Sequence, residues 1–189
     1  ITAVHAAAAL NKLLQISCGA VYSDTQAVVA FDCSNRINVL MEVIEETSHK
    51  VIVFVPFKHA IELVVEKLRA QGYSTEKIDG SVSVNKRTEI FRRFQEDPDP
   101  HILVIQPQAA SHGVTLTAAN TIVWFGPTMS VETYLQANAR IDRPGQKNHM
   151  TIIKLVGSPA ERKVYKSLEE KTQTHESLTA LYKEVLEDE

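Results

Sequence analysis

The apolar positions of the chain change rhythm near residue 48. Before it, residues 2–15 are rich in Ala and Leu and predict a helix, and a Gly-containing break follows at Ser17 to Ala20. Residues 21–36 are mixed, with one short apolar run from Ala27 to Phe31 that predicts an edge strand. Val39, Leu40, Val43 and Ile44 stand at helical spacing within 38–47. After residue 48 the pattern is regular. Lys50 to Val55 is a continuous β-branched run, which predicts a strand buried on both faces. His59 to Gln71 is an amphipathic helix stopped by Gly72. Ser74 to Ile78 is a strand ending at Asp79-Gly80, Asn85 to Gln95 a helix, and Asp97 to Pro100 a loop. Strands follow at His101 to Ile105 and Thr121 to Phe125. A helix over Ser130 to Arg143 is halted by Pro144-Gly145, and a strand follows at Met150 to Val156. From Pro159 to about Leu186 the pattern is helical, with a break expected near Thr172 to Thr174.

Buried strands alternating with amphipathic helices predict an α/β fold, a parallel sheet with helices on both faces and helical extensions at the two ends. The domain reading is 1–36 as an N-terminal helix and leading segment, and 37–189 as the α/β lobe with its C-terminal helix. Ligands of such sheets sit at the carboxyl ends of the strands. Function is therefore expected in the loops after Phe54, Gly80, Ile105, Phe125 and Val156.

Composition adds limits. The 189 residues are 44% apolar and 23% charged, with a formal net charge of -3. No global basic field draws in nucleic acid, so such contact needs a local patch or a further domain. Cys18 and Cys33 have no metal spacing and read as reduced thiols of an intracellular protein, cytoplasmic or nuclear and not secreted. No run approaches the roughly 20 apolar residues of a membrane span. A chain opening Ile1-Thr2-Ala3 is expected to be a fragment of a longer protein.

The sharpest chemical signal is Gln136-Ala137-Asn138-Ala139-Arg140-Ile141-Asp142-Arg143-Pro144-Gly145-Gln146. On a helix, Arg140 lies about 40° from Gln136, and Arg143 about 20° on the other side. One stripe then presents an amide and two guanidiniums, and Pro144 would hold Arg143 in the last turn. Two forked cations suit a polyphosphate, because guanidinium binds phosphate oxygens bidentately. A solvated polar stripe is the plainer reading of Q-x3-R-x2-R alone. The added Pro-Gly-Gln and the place after the last two strands favour phosphate.

That stretch resembles motif six of superfamily-two helicases, in the form found in Swi/Snf-like remodellers and translocases. Four further stretches are similar in the family's order. Lys50 to Phe54 resembles motif four. Ile78-Asp79-Gly80-Ser81 with Arg87 and Phe94 resembles the following D-G element. His101 to Asn120 resembles motif five, and Asn120 to Pro127 the strand leading to motif six. The likeness covers about 34–156, with a weaker one at Leu13 to Cys18.

The resemblance implies a RecA-like second lobe of an ATP-driven motor. It casts Arg143 as the arginine finger, with Arg140 beside it, Gln136 coupling nucleotide to nucleic acid, and Gly113 admitting the nucleotide closely. It implies a nucleic-acid track over Phe57, Lys58, Gly80, Arg87, Ser111, His112 and Thr115. Duplex DNA is the favoured track, with RNA as an alternative. Motif five departs from the family: Ala110 and Ser111 replace a glycine pair and Thr115 replaces Asn.

The phosphate loop G-x-x-x-x-G-K-[ST] and the D-E-x-H box do not occur in the chain. In the family both belong to the first lobe. ATP with Mg²⁺ is thus expected to be held mainly by an N-terminal RecA-like lobe of the same parent chain, and this chain alone to hydrolyse little ATP. Two alternatives stand beside this. One is a non-catalytic RecA-like module for nucleic acid or protein. The other is an unrelated doubly wound enzyme for a sugar nucleotide, which would call for a G-x-G-x-x-G that the chain lacks.

Overall fold

A computed structural model describes residues 3–23, 27–110 and 113–187. Helix α1 (Ala3–Ser17) leads into a small antiparallel hairpin of β1 (Ala20–Tyr22) and β2 (Val28–Ala30). The elements α2 (Ser34–Glu45), β3 (Lys50–Phe54), α3 (Lys58–Ala70), β4 (Thr75–Ile78), α4 (Val84–Glu96) and β5 (Ile102–Ile105) follow. A 3-10 turn at Pro107–Ala110 then leads to β6 (Ala119–Trp124), α5 (Val131–Asn138), β7 (Thr151–Lys154) and α6 (Pro159–Glu187).

Strands β3 to β7 form one five-stranded parallel sheet in the order β4-β5-β3-β6-β7. The sheet and its helices are those the hydrophobic pattern predicts. Side-chain alternation divides the core in two. Ile52, Phe54, Leu103, Ile105, Ile122 and Trp124 face α4, α5 and α6. Val51, Val53, Val55, Val104 and Val123 face α2 and α3. In α3 the residues Ile61, Val64, Val65 and Leu68 recur at helical spacing and all are buried. Fully burying each such side chain contributes roughly 1.5–3 kcal/mol. The helix stops where Gly72 takes φ +86, a backbone conformation that glycine adopts without a Cβ penalty.

Trp124 anchors the first layer. Its ring lies 4.8 Å from Phe54 and 4.9 Å from Tyr134, and its Nε1 donates to Asn138 Oδ1 at 2.9 Å. Helix α5 is thereby fixed at its end as well as at its start, where Ser130 Oγ accepts the Thr133 N–H.

Four expectations are corrected. The helix expected to reach Arg143 ends at Asn138. There the chain turns aside so that the Arg140 carbonyl can accept the Leu116 N–H at 2.9 Å, a tertiary bond that outweighs the helical pattern. The apolar run at Ala27 to Phe31 pairs only with β1 and is no edge of the main sheet. The strand expected at Met150 to Val156 is confined to Thr151–Lys154. No break interrupts α6 at Thr172 to Thr174, because both hydroxyls bond back to carbonyls one turn earlier, at 2.8 and 3.0 Å.

A buried ion pair ties the ends of the lobe together. Arg36, in the first turn of α2, meets Glu161 of α6 at 2.7 Å, and both side chains are buried. Arg36 also donates to the carbonyls of Phe125 and Leu155, just past β6 and β7. Glu161 accepts the Gly157 N–H at 2.8 Å. A Cβ on Gly126 would stand 2.5 Å from Cys18 Sγ, so the end of α1 packs on bare backbone there.

Candidate nucleotide and nucleic-acid site

Two clusters emerge, one at each end of the strands. The first is built by the turn after α5. Pro144 ends any helical continuation, Gly145 takes φ +104, and Gln146 folds back. Its Nε2 donates to Ala119 O at 2.8 Å and to Ile141 O at 3.2 Å. Ala119 is the first residue of β6, so this cluster lies at the amino end of the strand. The carboxyl ends are where function is expected; this turn packs instead at the amino end of β6. The arginines follow a helix that runs back along the sheet, which carries them to the opposite end.

Arg143 donates from Nη1 to Gly113 O at 3.0 Å and to Thr115 Oγ1 at 3.4 Å, and from Nε to Ala139 O at 3.3 Å. Arg140 is 5% exposed, and its Nε has no hydrogen-bond partner. Burial, and after it the charge of Arg143, lower the pKa of Arg140, which still leaves a guanidinium charged at neutral pH. Among the described residues neither arginine lies within ion-pair distance of a carboxylate. Two guanidiniums that feel each other's charge, with no carboxylate bound among the described residues, have the chemistry that suits an anion. Gly113 is exposed, takes φ +69, and among the described residues has nothing beyond its chain neighbours within 4 Å of where a Cβ would stand. That leaves room for a ligand against its backbone.

Gln136 is not brought to the arginines. It is exposed on α5, and its Nε2 donates to Glu132 Oε1 at 3.0 Å, one turn back. The stripe expected of a continuous helix breaks because that helix ends at Asn138. Gln95 was not singled out by sequence reasoning, yet it braces the same loop. Its amide donates to Thr117 Oγ1 at 3.0 Å and accepts the Ala118 N–H at 3.1 Å. Nothing in its local sequence marks it.

The second cluster lies at the carboxyl ends of β3 and β4, where Phe57, Lys58, Gly80 and Arg87 come together. Asp79 is fully buried and organises it. Its Oδ1 accepts the Ser81 N–H at 2.7 Å. Burial pushes the Asp79 carboxyl up, but the bonds from Ser81 and the charges of Lys77 and Lys58 outweigh it and hold it below the usual carboxylate value. Arg87 is occupied with the same turn, donating from Nη2 to Asp79 O and Val82 O at 3.2 Å. Lys58 and Gly80 are exposed and Phe57 is half-buried. Thr115 belongs with Arg143 in the first cluster. Ser111 and His112 lie outside the described residues. Among the described residues no group of three or more His, Cys, Asp or Glu side chains is placed to hold a metal ion.

The profile of the family described as helicase conserved C-terminal domain matches residues 35–145. The chain belongs to that family. It is the C-terminal RecA-like lobe of a superfamily-two helicase, of the Swi/Snf-like branch. It is 30% identical over 126 residues to mouse chromodomain-helicase-DNA-binding protein 1-like, covering 66% of this chain and 14% of that protein. With human DNA excision repair protein ERCC-6 the identity is 28% over 127 residues, covering 67% of this chain and 8% of the relative. With the rice SNF2 domain-containing protein ENL1 it is 27% over 147 residues, covering 76% and 15%. The chain therefore spans a small part of these relatives. The crystal structure of the C-terminal part of the Fun30 ATPase domain is similar with a TM-score of 0.65 and 26% identity, covering 69% of this chain and 44% of that one. The C-terminal domain of the DEAD-box protein Dbp5 shares the fold, with a TM-score of 0.62, 19% identity, and 74% and 79% covered. No described helix is long and apolar enough to cross a membrane.

Proposed function

We propose that the chain is the second motor lobe of an ATP-dependent nucleic-acid translocase, supplying the arginine finger and part of the track. The observation that carries this reading is the Arg140–Arg143 pair, crowded and without a carboxylate partner, beside the open backbone of Gly113. Those residues fit a polyphosphate. Arg143 exchanges the Gly113 carbonyl for a phosphate oxygen when a partner lobe closes on this one. Arg140, buried behind it, keeps the local potential positive. Bound ATP with Mg²⁺ supplies the transferable phosphoryl group, held mainly by the N-terminal RecA-like lobe of the parent chain. Fixed cations aimed at developing charge stabilise the transition state with little reorganisation. Gln136, on α5 ahead of that turn, is assigned the coupling of lobe closure to the nucleic acid.

At the other end of the strands, Phe57, Lys58, Gly80 and Arg87 grip the backbone of duplex DNA, and Ser111, His112 and Thr115, which precede β6 in the chain, are assigned to the same track. A translocating motor reads backbone and shape, because it must pass every sequence. The protein works inside the cell, where Cys18 and Cys33, both free thiols, stay reduced.

The test is ATP hydrolysis by the 189-residue chain alone and by a parent chain carrying both lobes, each with and without duplex DNA. Hydrolysis by the parent that rises with DNA, and none by the single lobe, is the expected result. Equal hydrolysis by both, or none by the parent, contradicts it. The latter would favour the non-catalytic interaction module.

A further inference from the structure

We infer that the N-terminal hairpin adds a stacking face for an unpaired nucleobase to this lobe, built from Tyr22, Phe57 and His59 and flanked by Lys12 and Lys58. The inference rests on the nucleic-acid reading above and adds Tyr22, His59 and Lys12 to its Phe57 and Lys58. Three separate segments supply the rings: Tyr22 from β1, Phe57 from the loop after β3, and His59 from the first turn of α3. The Tyr22 and His59 rings lie 5.1 Å apart at 87°, and the Phe57 and His59 rings 5.9 Å apart and nearly parallel, at 10°. Tyr22 is 38% exposed and Phe57 is half-buried, while both ring nitrogens of His59 are buried, so Tyr22 and Phe57 present the surface and His59 spaces them from within.

The hairpin is held in place for this. The Phe31 N–H donates to Gly19 O at 2.8 Å, and Tyr22 N–H to Gln15 Oε1 at 3.4 Å. Lys12 Nζ donates to the carbonyl of Tyr22 itself. Neither Lys12 nor Lys58 is within ion-pair distance of a carboxylate among the described residues, and both are exposed. Rings between two such lysines match a base between two phosphates, since every base has a π-face and each phosphate takes one cation. Burial lowers the His59 pKa, which favours the neutral form of the ring that spaces Tyr22 and Phe57. Tyr22 and His59 extend the Phe57–Lys58 edge toward the hairpin. An unpaired base, at a junction or in a single strand, meets these rings while duplex passes over Lys58 and Gly80.

The test uses the 189-residue chain and a single-stranded oligonucleotide carrying one 2-aminopurine, beside the same oligonucleotide annealed to its complement. The wild type is expected to quench the single-strand fluorescence. Tyr22→Ala and Phe57→Ala lose most of that quenching and roughly tenfold in single-strand affinity. Tyr22→Phe keeps both, and Tyr22→Ala binds the duplex as the wild type does. A thermal melt by circular dichroism shows that each variant is folded. Wild-type quenching and affinity in both alanine variants, or no quenching by the wild type, overturns the inference. If duplex-stimulated hydrolysis by the parent survives that result, the motor reading stands without the stacking face. If no form binds or hydrolyses, both fall.

Discussion

The Arg143 guanidinium is held by the carbonyl of Gly113, 3.0 Å away across thirty positions of chain. The loop entering β6 and the turn leaving α5 are therefore one unit. On the proposed reading, a nucleotide that draws Arg143 away also releases Gly113 and Thr115.

Gly113→Ala tests the backbone half of that unit. Space is not the constraint, because among the described residues nothing beyond its chain neighbours lies within 4 Å of the added Cβ, but φ is +69. A left-handed residue with a side chain costs roughly 1–2 kcal/mol. Urea unfolding should show a loss of about that size. A neutral result would mean that the loop relaxes freely.

Gln146→Ala removes two bonds from a half-buried amide, to Ala119 O and Ile141 O. The expected loss is roughly 1–3 kcal/mol in chemical denaturation, with one or both carbonyls left unpaired. Turnover of the parent should fall with it, because the same turn carries Arg143.

The Arg36–Glu161 pair is buried, and Glu161 Oε1 has no partner. Removing one member, as in Arg36→Leu, should cost roughly 3–5 kcal/mol by stranding the other charge. Arg36→Leu with Glu161→Leu should recover much of that loss. A double-mutant cycle in urea measures the coupling, and simple additivity would contradict it.

Cys18 is fully buried at the end of α1, and burial pushes its thiol from 9.0 up to about 12. The folded state then holds a proton that the unfolded state releases. The stability contribution is complete below pH 9 and falls as pH rises through the window from 9.0 to about 12. Melting temperatures measured from pH 8 upward should decline across pH 9, and Cys18→Ala should flatten the decline. At pH 8, Cys33, which is only half-buried, should react with a maleimide while Cys18 does not.

The sheet was legible because Val51 to Phe54, Ile102 to Ile105 and Ile122 to Trp124 are buried on both faces and read as continuous apolar runs. The hairpin was not, because three-residue strands with exposed Val28 and Val29 carry no periodicity. The arginines were legible as residues, but their placement was not. The bond from Leu116 to the Arg140 carbonyl joins positions 24 apart and leaves no local trace. Gln136 was misplaced for the same reason, since α5 ends at Asn138 and the arginines leave its axis, while Glu132 engages its amide.

The central claim is that Arg143 acts on the transition state and not on nucleotide binding. The most direct measurement is the split between turnover and nucleotide affinity in Arg143→Ala and Arg143→Lys of a parent chain carrying both lobes, with duplex DNA saturating. An arginine finger contributes about 10³–10⁵ in rate, so kcat should fall by about 10³ or more in both variants while ATP affinity stays within about tenfold. An unchanged kcat, or a loss confined to affinity, would contradict the account.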